Sequence, residues 1–360
     1  MRFQKTVDLL VGMHEAGVRR TVFLIGPPGI GKTSIAREAA RAIGGKCWVN
    51  DLSSSLVEDL KGLPRPDGDV MRFIPDEKLK EACTDGAKGF FVLDDLAAAD
   101  RSLQVAARQL SLDLTMHNHI LSTDVSVVVT GNRRSDGAAA ATLPSHFRNS
   151  VITLEVEPSL DDWSAWYRGT GLAPAVLAFL TYRPAHLSQL PDKASENGAF
   201  ATPRSWAMFA EAMPVAQEAG CLFDVASGAV GTGVASEFCA WLALRDKLVS
   251  PKALLADPKR ALPDPGVLIG QPDQLTAMIS GIVEHTLQAD KITKQSLERL
   301  VAAMAWTTRE SREFAVFGIQ QLAALGSTSV QNRFNRCLVG MRDTNKDVAN
   351  LLAAFAASVR

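Results

Sequence analysis

Short apolar runs alternate with stretches of helix-forming residues over residues 1–157 of the chain. The runs are almost continuously apolar, which is typical of strands that helices cover on both faces. Strands are predicted at Thr21–Ile25, Cys47–Asn50, Gly89–Leu93, Val125–Val129 and Val151–Val156, and helices between them at Ser34–Ile43, Asp76–Ala82 and Arg101–Leu110. Alternating strands and helices indicate an α/β domain with a parallel, doubly wound sheet.

The pattern changes after residue 157, where apolar residues recur at helical spacing. Helices are predicted at Asp161–Arg168, Ala173–Tyr182, Pro203–Met213 and Ser236–Leu248. The proline-rich stretch from Pro251 to Pro272 is predicted to be a linker. Apolar residues at helical spacing follow it. We therefore expect an α/β core at 1–157, a helical segment at 158–250, and a linker with a C-terminal helical region at 251–360.

Composition and charge add broad limits only. The 360 residues include 38 basic and 39 acidic side chains, a formal net charge of −1, so a generally basic surface for nucleic acid is not expected. Five scattered cysteines without a CxxC pair are typical of a reducing compartment. No signal peptide is predicted, and the longest uncharged stretch, Phe314 to Asn332, is too polar to cross a bilayer. We expect a cytoplasmic protein with no membrane partner.

A phosphate-binding pattern stands out in the first domain. Residues 26–33 read GPPGIGKT and match G-x-x-x-x-G-K-[ST], between a predicted strand and a predicted helix. Lys32 is placed to reach the β- and γ-phosphates of a nucleotide and Thr33 to offer its hydroxyl to Mg²⁺, while the following helix directs its positive end at the same anion. The predicted nucleotide-binding residues are Gly26, Pro27, Pro28, Gly29, Ile30, Gly31, Lys32, Thr33 and Ser34.

Two carboxylates and an amide follow later strands. Asp94 and Asp95 come directly after Gly89–Leu93. In a P-loop enzyme Asp94 would hold Mg²⁺ through water and Asp95 would polarise the attacking water. Asn132 follows Val125–Val129, and we expect its amide beside the γ-phosphate, because ligands of such sheets bind at the carboxyl ends of strands. For Asp94 and Asp95, the alternative is that they form an acidic cap on the next helix. The phosphate-binding pattern disfavours this alternative.

With these motifs in this order, the chain resembles AAA+ ATPases, specifically the MoxR-like branch, over residues 5–250. GPPGIGKT and GFFVLDD match the Walker A and Walker B motifs, and VVVTGN matches sensor 1. VEDLKGLP resembles the segment before the branch's helix-2 insertion, with its turn at Pro66–Asp69, and QLSLDLTMHNHIL stands where the family has a β-hairpin before sensor 1. DDW and TPRSW match the helical lid, the latter making Arg204 the expected sensor 2.

The resemblance implies an ATPase that uses ATP and Mg²⁺ and assembles into a homo-hexameric ring. It also implies an arginine finger from the neighbouring subunit and a remodelling role, often beside a partner with a von Willebrand factor A domain. The chain departs from the family at Asp95, where Glu is usual, and at Ser150, where the finger arginine is usual. Arg148 is the nearest substitute for the finger arginine. An equal alternative is that Arg148 is a solvated surface residue without this role. Arg133 and Arg134 are further candidates.

Three functions are compatible with these patterns. The first is a Mg²⁺-ATP-dependent remodelling ATPase. The second is a slowly hydrolysing, nucleotide-dependent assembly switch, since a carboxylate misplaced by ~1 Å can cost roughly 100-fold in rate. The third is a DNA-handling ATPase, for which basic clusters such as Arg333, Arg336 and Arg342 give little support. A metal site at His117 and His119, two residues apart in the expected hairpin, is less favoured than simple surface polarity.

Overall fold

The computed structural model describes residues 1–133, 145–190, 198–268, 270–289, 291–309 and 311–358. Strands alternate with helices in the first part of the chain. The strands are β1 (Val22–Ile25), β2 (Lys46–Asp51), β3 (Leu63–Asp67), β4 (Val70–Ile74), β5 (Lys88–Asp94), β6 (Thr115–Met116), β7 (His119–Ile120), β8 (Asp124–Gly131) and β9 (Ile152–Glu155).

Helices make up most of the remainder. In chain order they are α1 (Phe3–Glu15), α2 (Lys32–Ala42), α3 (Val57–Lys61), α4 (Glu77–Ala82), α5 (Arg101–Asp113), α6 (Ser145–Arg148), α7 (Leu160–Tyr167), α8 (Pro174–Tyr182), α9 (Pro203–Glu218), α10 (Leu222–Val230), α11 (Thr232–Lys247), α12 (Pro251–Ala256), α13 (Pro258–Ala261), α14 (Pro272–Leu287), α15 (Lys294–Thr307), α16 (Arg312–Leu325), α17 (Thr328–Gly340) and α18 (Lys346–Ser358). No helix in the described ranges has the length and apolar character needed to cross a membrane.

Five strands form one parallel sheet in the order β2-β5-β8-β1-β9. These are the five predicted strands, each within two residues of its predicted ends, so the predicted parallel α/β core is confirmed. Because β1 lies between β8 and β9, Ile25 pairs with both Gly131 and Glu155. The carboxyl ends of β1, β5 and β8 therefore meet at one edge of the sheet.

Helices cover both faces of this sheet. Phe90 and Phe91, adjacent in β5, point to opposite faces and enter two separate cores. On the Phe90 side, α1 and α2 pack through residues such as Leu10 and Ile35, whereas α3, α4 and α5 pack on the Phe91 side. Helix α1 was not predicted from the sequence. Its buried positions stabilise the face that carries α2, and with it the start of the phosphate-binding segment.

Two antiparallel hairpins stand apart from the main sheet. Strands β3 and β4 pair around a turn inside the predicted Pro66–Asp69, and β6 pairs with β7 in the second predicted hairpin segment. The hairpins meet at Phe73, whose ring stacks on His117 at a centroid distance of 3.7 Å. His119 Nε2 lies 2.9 Å from the carbonyl oxygen of Phe73. In the described residues, no group of three or more His, Cys, Asp or Glu could hold a metal ion.

The chain forms two compact units. The first contains Met1–Asp162, Leu190 and Thr202–Arg204, and the second contains the other described residues from Trp163 onward. The second unit is helical. Beyond Asp162, the helices predicted for the lid lie in this second unit together with the helices of the C-terminal region. The exception is the segment Thr202–Arg204, which belongs to the first unit.

The prediction that Pro251 to Pro272 forms a linker is wrong. This stretch contains α12 and α13, and Leu254, Leu262 and Leu268 are buried in the core of the second unit. Pro251 and Pro258 open helices instead of interrupting them, because each occupies a first helical position, where a missing N–H costs nothing. Ser250 and Asp257 cap these helices by accepting backbone N–H bonds.

Candidate nucleotide-binding site

The loop between β1 and α2 has the backbone that phosphate binding requires. Gly29 has φ +73°, and a Cβ there would lie 2.7 Å from Thr202 Oγ1. At Gly26 a Cβ would lie 2.4 Å from the carbonyl oxygen of Val156. Glycine is therefore required at both positions, by backbone conformation at the first and by close approach at the second. The predicted residues Pro27, Pro28, Ile30 and Ser34 lie in the same turn or at the start of α2.

Lys32 is held at the centre of this loop. The residue is only 8% exposed, and a buried ammonium group requires hydrogen-bond acceptors. Nζ donates to Gly26 O over 2.9 Å and to Pro27 O over 2.8 Å. It also donates to Asn132 Oδ1 over 2.7 Å. The structure thus places Lys32 between the phosphate loop and the end of β8.

Asp94 accepts hydrogen bonds from two threonine hydroxyls. Thr33 Oγ1 lies 2.8 and 3.0 Å from its two carboxylate oxygens, and Thr130 Oγ1 donates to Oδ1 over 2.5 Å. Hydroxyl and carboxylate oxygens side by side suit Mg²⁺, which proteins hold with one or two carboxylates plus substrate phosphates. Thr33 and Asp94 would hold the ion, which would neutralise charge developing on the phosphates.

Asp95 has an unusual backbone conformation. Its φ of 54° lies in the left-handed region, which for a non-glycine residue costs roughly 1–2 kcal/mol. Two contacts hold it there: the backbone N–H donates to Thr130 Oγ1 over 3.0 Å, and Oδ1 accepts from Asn132 Nδ2 over 3.2 Å. Burial raises the pKa of the Asp95 carboxyl, the charge of Asp94 raises it further, and Lys32 opposes both effects. Such a perturbed carboxylate is suited to accept or orient a water proton.

A further carboxylate, Asp51, ends β2 beside Asp94 and Asp95 and was not predicted. It pairs in register with Asp94. The Ser53 hydroxyl donates to Oδ1 over 2.6 Å and lowers the pKa of Asp51, with Ser54 contributing in the same direction. Its negative charge contributes to the raised pKa of Asp95.

Asn132 connects the predicted groups. Its oxygen faces the Lys32 ammonium and its nitrogen faces the Asp95 carboxylate, which is the orientation that satisfies both partners. Thr130 was likewise not predicted. The sequence gives one signal for it, a polar residue at the end of the apolar run of β8. The pairing of Leu93 with Val129, which only the structure shows, puts Thr130 beside Asp94.

The predicted sensor Arg204 reaches this loop through its backbone. Its N–H donates to Gly29 O over 3.1 Å, while its side chain is exposed. Thr202 lies against Gly29 in the same segment. The structure therefore brings the backbone of Arg204 to the phosphate loop, and the residue is exposed.

The structure describes two of the three candidate finger residues, Arg148 and Arg133. Arg148 ends α6 with an exposed side chain that has no hydrogen-bond or ion-pair partner among the described residues. Arg133 forms an ion pair with Glu155 at 2.8 Å. Ser150 is exposed, and Arg134 lies outside the described residues. A finger acting on a neighbouring subunit would be absent from its own site, so Arg148 stays a prediction.

Comparison with known proteins identifies the first domain. Residues 21–144 match the family model of the AAA domain (dynein-related subfamily). No curated protein matches the chain. A RuvB variant from Thermotoga maritima is 14% identical, with 80% of this chain and 88% of that chain covered and a TM-score of 0.38. A structure titled DNA replication initiation factor is 15% identical, with 97% and 92% covered and a TM-score of 0.34.

The AAA-domain match coincides with the phosphate loop, the two acidic residues and Asn132, which the fold brings to one edge of the sheet. Residues 21–144 therefore form an AAA domain with the site of a P-loop ATPase, so the protein is a hydrolase.

Proposed function

We propose that this chain is a MoxR-type AAA+ ATPase that uses Mg²⁺-ATP to remodel or assemble a protein partner. In this proposal it acts in the cytoplasm as a homo-hexameric ring, beside a partner that carries a von Willebrand factor A domain. The observation that carries the proposal is the pair of hairpins joined at Phe73. One hairpin lies at the segment that resembles the helix-2 insertion of the MoxR-like branch, and the other lies where the family has a β-hairpin before sensor 1.

The exposed side chains of the hairpins favour a protein partner over nucleic acid. Five large apolar residues there are between 49% and 66% exposed: Leu63, Val70, Met71, Ile74 and Ile120. A solvent-exposed apolar group of this kind is typical of an interaction surface. The β3–β4 hairpin also carries two arginines and two aspartates, Arg65, Arg72, Asp67 and Asp69, so its net charge is zero. Phosphate binding would require an excess of positive charge.

A slow assembly switch is the second candidate, and Asp95 favours it. The carboxylate is held in a left-handed turn and bonded to Asn132. The Asp95 side chain is one methylene shorter than that of Glu, so its carboxylate oxygens lie elsewhere. A misplacement of a catalytic group by ~1 Å can lower the rate roughly 100-fold. Under this second function, Asp95→Glu would raise the turnover of the ATPase.

The proposal is tested by mass measurement with and without Mg²⁺-ATP, together with turnover at several protein concentrations. A ring predicts assembly with ATP and turnover per subunit that rises with concentration. A chain that stays monomeric with Mg²⁺-ATP at every concentration would disprove the ring.

Mixed subunits test whether Arg148 acts on a neighbour. Arg148→Ala and Lys32→Ala should each lose turnover, by ~10³-fold or more for a true finger. An equimolar mixture should recover part of it, because one subunit supplies the intact phosphate loop and the other the arginine. Arg20→Ala removes another exposed arginine and should leave turnover unchanged. Full activity of Arg148→Ala alone would exclude Arg148 as the finger.

A further inference from the structure

Thr130 makes two hydrogen bonds that join the two acidic residues of the site. It lies near the end of β8 with only 2% of its surface exposed. Its hydroxyl donates to Asp94 Oδ1 over 2.5 Å and accepts the backbone N–H of Asp95 over 3.0 Å. A hydroxyl has one proton to donate, so the carboxylate takes the proton and the amide uses a lone pair.

The second of these bonds replaces a bond of the sheet. The pairing of β5 with β8 ends at Leu93 and Val129, and Asp95 then turns away with φ 54°. The hydroxyl of Thr130, carried on the neighbouring strand, accepts the Asp95 N–H at this point. The Asp95 backbone is thereby held in the turn from which its carboxylate meets Asn132.

The first bond acts on Asp94. Thr33 and Thr130 donate to the same carboxylate, the first from α2 and the second from β8. Thr33 and Asp94 are the residues that would hold Mg²⁺. A partner outside the metal ligands that fixes a ligand's orientation is typically worth ~10–100-fold in metal affinity or activity.

We infer that Thr130 is a positioning residue for ATP hydrolysis, which sets Asp94 for the metal and Asp95 for the attacking water through one hydroxyl. The inference rests on ATP hydrolysis at this site. It does not depend on the ring, the hairpins or the identity of the client.

The test compares Thr130→Val, which keeps the branched shape without the hydroxyl, with Thr130→Ser, which keeps the hydroxyl. At saturating Mg²⁺ we expect Thr130→Val to lower kcat ~10–100-fold, with KM for ATP changed by less than about threefold. Thr130→Ser should remain within about threefold of the wild type. Thr130→Ala is a second variant without the hydroxyl, should Thr130→Val fail to fold.

A second readout does not require turnover. Binding of a fluorescent, non-hydrolysable ATP analogue is measured in EDTA and across a Mg²⁺ titration. Without metal the affinity should be unchanged in Thr130→Val, because Lys32 keeps its contacts, and this also shows that the variant is folded. The Mg²⁺ concentration for half-maximal enhancement should rise ~10-fold or more.

The outcomes separate the hypotheses. Wild-type kcat and wild-type Mg²⁺ dependence in Thr130→Val would overturn the role of Thr130, as would equal damage in Thr130→Ser. Absence of turnover in the wild type would overturn hydrolysis and, with it, the role of Thr130 toward Asp95. The Mg²⁺ titration would then still decide whether Thr130 sets Asp94 for the metal.

Discussion

Asn132 donates a hydrogen bond from its side-chain amide to Asp95 Oδ1 over 3.2 Å. The oxygen of the same amide accepts from Lys32 over 2.7 Å. One side chain thus joins the cation expected to contact the phosphates to the carboxylate expected to orient water. Lys32 and Asp95 are therefore connected through two hydrogen bonds to Asn132.

Asn132→Ala is expected to lower turnover ~10²–10³-fold, the usual effect of removing one well-placed donor from a catalytic site. Nucleotide affinity should fall much less, because Lys32 keeps its two carbonyl partners. Phosphate release and binding of a fluorescent nucleotide measure the two effects. Asn149→Ala, in an exposed position, is the matched control. Turnover in Asn132→Ala equal to that of the wild type would contradict the role of Asn132.

Asp95→Asn is expected to increase stability while it removes activity. The pKa of Asp95 is raised in the folded protein by burial and by Asp94, so its charged form destabilises the fold. The stability that its protonated form supplies is present below the unfolded pKa of ~3.9 and is lost as pH rises through the folded value. At pH ~7 the amide should therefore raise the free energy of unfolding, by up to about 1 kcal/mol after allowance for solvent screening.

Urea denaturation at several pH values measures this gain, which should shrink toward pH ~4. Asparagine tolerates the left-handed conformation, so the substitution adds no backbone strain. Asp85→Asn, at an exposed position, serves as the control. A loss of stability in Asp95→Asn at pH ~7 would contradict the cause assigned to the raised pKa.

The contact between the two hairpins should depend on pH. Burial lowers the pKa of His117, and the charges of Lys61 and His119 lower it further. The neutral ring is therefore favoured in the stack on Phe73. The stability that it provides is present above the unfolded pKa of ~6.5 and is lost as pH falls through the lower pKa of the folded protein. Amide exchange in β3 and β4, corrected for its intrinsic rate, should accelerate between pH ~7.5 and ~5.5.

His117→Asn should abolish this pH dependence and give fast exchange at both pH values. Asparagine is suited to the φ of 52° at this position, which keeps the turn itself intact. Exchange rates that stay constant with pH in the wild type would show that His117 does not control the contact.

Ser280→Ala is expected to stabilise the helical unit by about 1 kcal/mol. Ser280 is fully buried in α14, and its hydroxyl has no hydrogen-bond partner in the part of the chain that the structure describes. Removing a buried unpaired hydroxyl and gaining the helix propensity of alanine both act in the same direction. Thr276→Ala is the matched variant and should destabilise, because its hydroxyl donates to carbonyls of Pro272 and Asp273. Thermal unfolding of both variants measures the contrast.

Local patterns predicted much of this protein correctly. Continuous apolar runs identified all five strands of the parallel sheet. The phosphate loop could be found because its glycines and Lys32 lie within residues 26–32 of the chain. The linker prediction failed because proline disfavours a helix interior but is accommodated at a first helical position, and the pattern of prolines alone does not separate the two.

The sequence by itself determined which segments become the strands of the parallel sheet and where the phosphate-loop pattern lies, since both depend on neighbours in the chain. Only the tertiary structure decided that Thr130 joins Asp94 to Asp95 and that Asn132 joins Asp95 to Lys32. These bonds exist because β8 lies between β5 and β1 in a defined register. Hydrogen bonds act over about 3 Å, so they depend on which strands become neighbours in space.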